Sequence, residues 1–156
     1  DRWCYESQDD LAPPTDVDIA SIRPVVRRAG DDVTIAAASY SVLLALEAAE
    51  LLAEDGIECE VIDIRQLNPL NPELIVQSAS RTGRFVAVDG GWSTCGLAGE
   101  LMARVAENVD PSRLKAPLAR VTLPDAPAPT SAPLEKAYYP TAETVQACVQ
   151  KLFKRA

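Results

Sequence analysis

Four short apolar runs recur along this chain with helix-forming runs between them, and that alternation restricts its fold more than any other feature. VTIAAAS (33–39), ECEVIDIRQL (58–67), RFVAVD (84–89) and PLARVTL (117–123) are strand-like in length and residue type. YSVLLALEAAELLAEDG (40–56) is rich in Ala, Leu and Glu and stops at Gly56, as a helix with a glycine stop does. Asn71-Pro72-Glu73 supplies a cap, a first-turn proline and a first-turn acid for a helix that runs to about Thr82, before Gly83. LAGELMARVAENV (97–109) reads as the next helix. IASIRPVVRR (19–28) reads as an edge strand interrupted by Pro24, since proline has no N–H for a ladder. Strands alternating with helices predict an α/β three-layer sandwich: a mostly parallel sheet of four or five strands, with helices on both faces.

Two stretches stand outside this pattern. Residues 1–18 are polar and acidic and contain Pro13-Pro14, which reads as a linker. Trp3 and Tyr5 are expected to pack on something beyond it. PDAPAPTSAPLEKAYYPT (124–141) contains Pro124, Pro127, Pro129, Pro133 and Pro140, and is expected to cross the surface as an extended segment without regular structure. Thr141 then caps a last helix, 142–155, on which Val145, Cys148, Val149, Leu152 and Phe153 make one apolar stripe. Lys151, Lys154 and Arg155 sit at the end where the helix dipole favours cations. The chain opens on Asp1 rather than Met, so a fragment of a longer protein is expected.

Composition removes several function classes. The chain has no histidine, and with it go the commonest general base, the commonest metal ligand and every Ser-His or Cys-His arrangement. No catalytic, cofactor-binding or metal-binding residue is assigned, and an autonomous enzyme is disfavoured. A net charge of −8 opposes nucleic-acid binding, which needs a basic footprint, and either steers the chain toward basic partners or serves solubility alone. Cys4, Cys59, Cys95 and Cys148 include no CxxC pair; Cys59 and Cys148 fall on apolar patterns as small core residues. No long apolar run predicts a membrane span, and the chain reads as soluble and intracellular.

The stretch DGGWSTCGLAGEL (89–101) has the layout of a phosphate loop: strand, glycine-rich turn, helix. Its glycines, Gly90, Gly91, Gly96 and Gly99, do not match G-x-G-x-x-G, and it has no P-loop lysine. Free N–H groups at the helix start after Gly96 leave an anion- or nucleotide-sensing module as the alternative, opposed by Asp89 and Glu100. A packing or interface turn is the simpler reading. Cys95 lies in the same turn without a base to activate it. Asp63 and Arg65 stand near the carboxyl edge of the sheet, where an ion pair or a subunit contact is the ordinary outcome.

Three stretches together resemble a known family. They are EVIDIRQLNPL (60–70), VAVDGGWSTCGLAGEL (86–101) and RVTLPDAPAPTSAPLEKAYYP (120–140). They are similar to the C-terminal, transketolase-type domain of the beta subunit of thiamine-dependent 2-oxoacid dehydrogenases, over roughly residues 30–155. Gly90-Gly91-Trp92 is most similar to pyruvate dehydrogenase beta subunits. Asp89 stands where a glutamate is usual, and Leu123 where glycine is common. The resemblance implies that residues 1–29 lead in from a missing pyrimidine-binding domain and that 30–156 form the transketolase-type domain. It implies a non-catalytic assembly domain that contacts a second beta subunit within a heterotetramer with alpha subunits. It also implies docking of the basic subunit-binding domain of a dihydrolipoamide acyltransferase. Thiamine diphosphate and Mg would belong to the parent enzyme, which performs oxidative decarboxylation of a 2-oxoacid in a bacterial cytoplasm or a mitochondrial matrix. Gly90, Gly91, Trp92, Asp125, Glu135 and Tyr138 are the candidate interface residues.

Overall fold

Every residue of the strand Val33–Ala37 is buried, so this strand has no polar face and must be covered on both sides. The computed structural model describes Cys4, Asp16 and residues 18–154. Within them the chain forms β1 (Val25–Arg28), β2 (Val33–Ala37), α1 (Tyr40–Glu54), β3 (Cys59–Asp63), α2 (Glu73–Thr82), β4 (Phe85–Trp92), α3 (Leu97–Asn108), β5 (Ala119–Leu123), α4 (Ala132–Tyr138) and α5 (Ala142–Lys154). The five strands lie in the order β1-β3-β2-β4-β5, all pairs parallel except β1 with β3. Val33, Ile35, Val61, Val86 and Val88 face α1 and α5; Ala36, Ile62, Phe85 and Ala87 face α2 and α3. The expected three-layer α/β sandwich is what forms. Among the described residues, no helix is long and apolar enough to cross a membrane.

The helix ends follow their local signals. Gly56 and Gly83 both take left-handed backbone (φ 75°), which an L side chain adopts only with strain. Asn71 Oδ1 accepts a hydrogen bond from the Glu73 N–H at 3.1 Å. Thr141 and Thr144 exchange bonds at the start of α5.

Four expectations are corrected. The segment 19–28 is a strand only from Val25; Ile19–Ser21 is a 3-10 turn capped by the Asp18 carboxylate. β3 stops at Asp63, because Arg65 turns to φ 61° and its N–H is taken by the Asp63 carboxylate at 3.0 Å. β4 does not end at Asp89 but continues through Gly90 and Gly91 to Trp92, which pairs with Leu123 across a bulge. The proline segment is not wholly irregular: α4 forms inside it, with a proline in its first turn where no N–H is needed. Trp3 and Tyr5 lie outside the described residues.

The buried Thr34 and Glu60 side chains are both paired. Thr34 Oγ1 lies 2.6 Å from Ser78 Oγ and 2.9 Å from Thr82 Oγ1, which ties β2 to α2. The buried Glu60 carboxylate meets Arg81 at 2.6 Å, and Arg81 also pairs with Asp31. Burial pushes the Cys59 thiol up to about 12 and raises Cys148 as well; Cys59 lies in the core and Cys148 packs against it partly buried.

Gly30 packs directly on β3: a Cβ there would stand 2.3 Å from the Cys59 carbonyl carbon and 2.6 Å from its oxygen. Both obstacles are backbone, so β3 itself would have to move. Gly30→Ala is expected to lower unfolding stability by roughly 2 kcal/mol, in the overpacking range. Urea titration followed by far-UV circular dichroism measures this, and an unchanged midpoint counts against such tight packing.

Candidate interface corner at the carboxyl edge of the sheet

The carboxyl ends of β2, β4 and β5 open onto a cleft of about 950 Å³, the position where open α/β sheets place their functional surfaces. Ser39 and Tyr40 come from the end of β2 and the start of α1, Asp89 and Gly91 from β4, and Leu123 from β5. The segment 124–140 closes the far side with Pro129, Glu135 and Tyr139.

Asp89 organises the near wall. One of its carboxylate oxygens accepts from the Gly91 N–H at 2.9 Å, and the other from the Ala98 N–H in the first turn of α3 at 3.1 Å. A carboxylate at a helix start satisfies an orphan donor and meets the positive end of the dipole. A resident carboxylate thus stands at the helix start, where the anion reading needs free N–H groups. The Gly99 N–H goes to the Gly96 carbonyl, so an incoming anion meets a resident carboxylate. The turn is tight: a Cβ at Gly96 would stand 2.1 Å from the Trp92 carbonyl oxygen, and Cys95 holds φ 57°.

Two further ties join the turn to the proline segment. Asp125 accepts from both the backbone N–H (2.9 Å) and the hydroxyl (2.7 Å) of Thr94. These bonds, the hydroxyl first, hold the Asp125 carboxyl below its usual range. Trp92 Nε1 donates to the Tyr138 hydroxyl at 3.2 Å, and that hydroxyl donates to the Ala126 carbonyl at 2.6 Å. Tyr138 and Tyr139 meet edge to face at 5.2 Å. Arg120 reaches the Ser93 carbonyl at 2.9 Å from β5.

The six residues singled out from sequence thus meet in one corner. Gly90, Gly91 and Glu135 line the cleft, and Trp92, Asp125 and Tyr138 make the ties beside it. Thr94 and Arg120 complete the corner without having been singled out. Their partners lie 31 and 27 residues away, and no local pattern announces such pairs. Asp63 and Arg65 do not line the cleft. Trp92 remains 54% exposed even with its indole N–H satisfied. Asp89 and Glu135 are the carboxylates lining the cleft, and Asp89 is engaged by backbone N–H groups. Among the described residues no cluster of three His, Cys, Asp or Glu side chains is placed to hold a metal ion.

The family model for the transketolase C-terminal domain matches residues 23–145. The mitochondrial pyruvate dehydrogenase E1 component subunit beta of Caenorhabditis elegans is 44% identical over 126 residues, covering 81% of this chain and 36% of that protein. The acetoin:2,6-dichlorophenolindophenol oxidoreductase subunit beta of Cupriavidus necator is 39% identical over 127 residues, covering 81% of this chain and 37% of that one. A solved split-gene transketolase, described as an inactive beta4 tetramer, superposes with a TM-score of 0.72 at 32% identity, over 85% of this chain and 42% of its own. The chain therefore spans little more than a third of the curated relatives it matches.

Two outcomes test the corner. Removing the Asp89 carboxylate in Asp89→Ala leaves two N–H groups without their acceptor and is expected to cost about 1–2 kcal/mol in thermal or urea unfolding. For Asp125 the folded pKa is depressed, so its contribution is present above the unfolded carboxylate value of about 4 and is lost as pH falls through the lower folded one. The Tm gap between the native chain and Asp125→Asn is expected to stay constant from neutral pH down to about 5 and to shrink below about 4. A gap that does not change with pH would remove the carboxylate from the tie.

Proposed function

The chain belongs to the transketolase C-terminal-domain family, and from that membership we propose that it is the assembly domain of the beta subunit of a thiamine-dependent 2-oxoacid dehydrogenase of the pyruvate type. In this reading residues 1–29 lead in from a pyrimidine-binding domain that precedes the chain. Thiamine diphosphate and Mg are held elsewhere in the parent enzyme. That enzyme decarboxylates a 2-oxoacid and passes the acyl group to a lipoyl carrier. This domain contributes contact with a second beta subunit, within an assembly that includes alpha subunits, and a docking face for the acyltransferase.

One observation carries the reading. The Gly90-Gly91-Trp92 strand end is locked by three separate ties, yet the Trp92 ring stays more than half exposed. An isolated domain gains little from holding a large aromatic side chain rigid in water. A subunit interface gains a good deal, because a preordered aromatic anchor has little side-chain entropy left to lose on association. Leu134, 61% exposed, lies one helical turn from Tyr138 on α4 and extends the apolar surface beside the corner. The complete absence of histidine agrees with a domain that leaves the chemistry to other parts of the enzyme. The description of the split-gene transketolase relative as a beta4 tetramer supports self-association of beta subunits without alpha.

Sedimentation velocity tests the proposal directly. The chain is expected to associate with itself as concentration rises, and Trp92→Ala is expected to weaken that association about thirtyfold, as loss of a 2 kcal/mol anchor does. A chain that stays monomeric at the highest concentration reached, and does not co-sediment with an acyltransferase subunit-binding domain, overturns it.

A further inference from the structure

One helix start on the cleft carries no anion of the chain's own. α1 runs for 15 residues from Tyr40. Its N-cap, Ser39, makes no side-chain cap bond, and its first turn holds no acid. The Ser39 hydroxyl meets the Cys4 thiol at 3.7 Å. The first N–H groups of a helix have no acceptor within it, and the dipole adds partial positive charge there. A helix start alone is common and makes no site. Ser41 supplies a second, separate observation. This residue is only 5% exposed and lines the cleft. Among the described residues no group bonds its hydroxyl, yet the oxygen is not sealed off from the cleft. Buried hydroxyls are ordinarily bonded, because leaving one unpaired forfeits its hydration. A polar group is thus held at an uncapped helix start with nothing in the chain to satisfy it.

We propose that the start of α1 binds the carboxylate of a small organic acid whose apolar body lies in the cleft. The Ser41 N–H and hydroxyl and the Ser39 hydroxyl donate to the two carboxylate oxygens. Leu44, Leu97, Leu123 and Pro129 line the cleft and take the apolar body. The charges already in the cleft select the class of anion. Asp89 and Glu135 line it too, and each repels incoming negative charge. A phosphate dianion meets that repulsion twice over, and among the described residues no Lys or Arg lines the cleft to offset it. A carboxylate brings one charge, and a few donors satisfy its two oxygens. The apolar body adds hydrophobic burial that an inorganic anion lacks. This site is distinct from the start of α3, where the Asp89 carboxylate already sits. It needs no partner subunit, so it stands apart from the assembly reading.

The test uses the whole 156-residue chain and four probes at constant ionic strength: hexanoate, hexanamide, acetate and inorganic phosphate. Amide shifts of the native 15N-labelled chain need no variant. They are expected to saturate with hexanoate and to centre on Ser41 and Leu44. Hexanamide lacks the charge and acetate lacks the chain, so each is expected to bind at least about tenfold more weakly. Phosphate is expected to leave these shifts unmoved. Ser41→Ala is expected to weaken hexanoate at least about fivefold while the Tm holds or rises, because the lost hydroxyl has no partner in the chain. Ser39→Asp puts a carboxylate at the helix start and is expected to abolish hexanoate binding. Shifts confined to residues away from the start of α1 overturn the proposal. Equal binding of hexanoate and hexanamide overturns it too, and so does phosphate moving the Ser41 shifts while hexanoate does not. Unchanged hexanoate affinity in a folded Ser41→Ala chain has the same force. Hexanoate binding at Ser41 in a chain that never self-associates would sink the Trp92 contact while leaving this site standing.

Discussion

The Asp89 carboxylate is the joint on which the functional end of this domain depends. It leaves the last buried stretch of β4 and satisfies one N–H on its own strand and one in the first turn of α3. The strand end, the turn and the helix start are thereby held as one piece. Gly91 and Gly96 permit this because any side chain at either would press on the carboxylate itself. Once that piece is rigid, Trp92 has a defined direction and Thr94 a defined position. The Asp125 and Tyr138 ties then have something fixed to hold. The same bonds oppose a phosphate-loop role, because an anion at this helix start is already part of the chain.

Legibility in the sequence followed the range of the interactions. Helix boundaries were readable because caps and left-handed glycines act within a few residues: Asn71 before α2, Gly83 after it, Thr141 before α5. The buried strands were readable because parallel strands covered on both faces are continuously apolar. Within the Gly90-Gly91 pair, however, glycine composition signals a turn, whereas pairing of Trp92 with Leu123 keeps the chain extended. That pairing joins residues about thirty positions apart and leaves no local mark. Proline misled in the opposite way. Pro133 is a helix breaker in the middle of a helix and harmless in its first turn, and the difference depends on where the helix begins.

The site was legible in kind more than in construction. Family-like motifs led to Gly90, Gly91, Trp92, Asp125, Glu135 and Tyr138, and the fold brings all six to one corner. How they are held was not readable. Thr94 and Arg120 carry no distinctive neighbours, and their importance exists only once β4, β5 and the proline segment are side by side. The cleft is a product of the same placement, because its walls at Ser39 and Ala128 are almost ninety residues apart in the chain.

The manner in which the proline segment is fastened has a consequence for how such a domain changes over generations. Asp125 pins one end of the segment and Tyr138 the other, while the stretch between them touches the sheet lightly and is largely exposed. Substitutions from Pro127 to Lys136 can therefore reshape the cleft without loosening the sandwich beneath. The fold offers a replaceable cassette on a permanent mount, so that new partners can be acquired by editing one surface span and the stability of the domain is left alone.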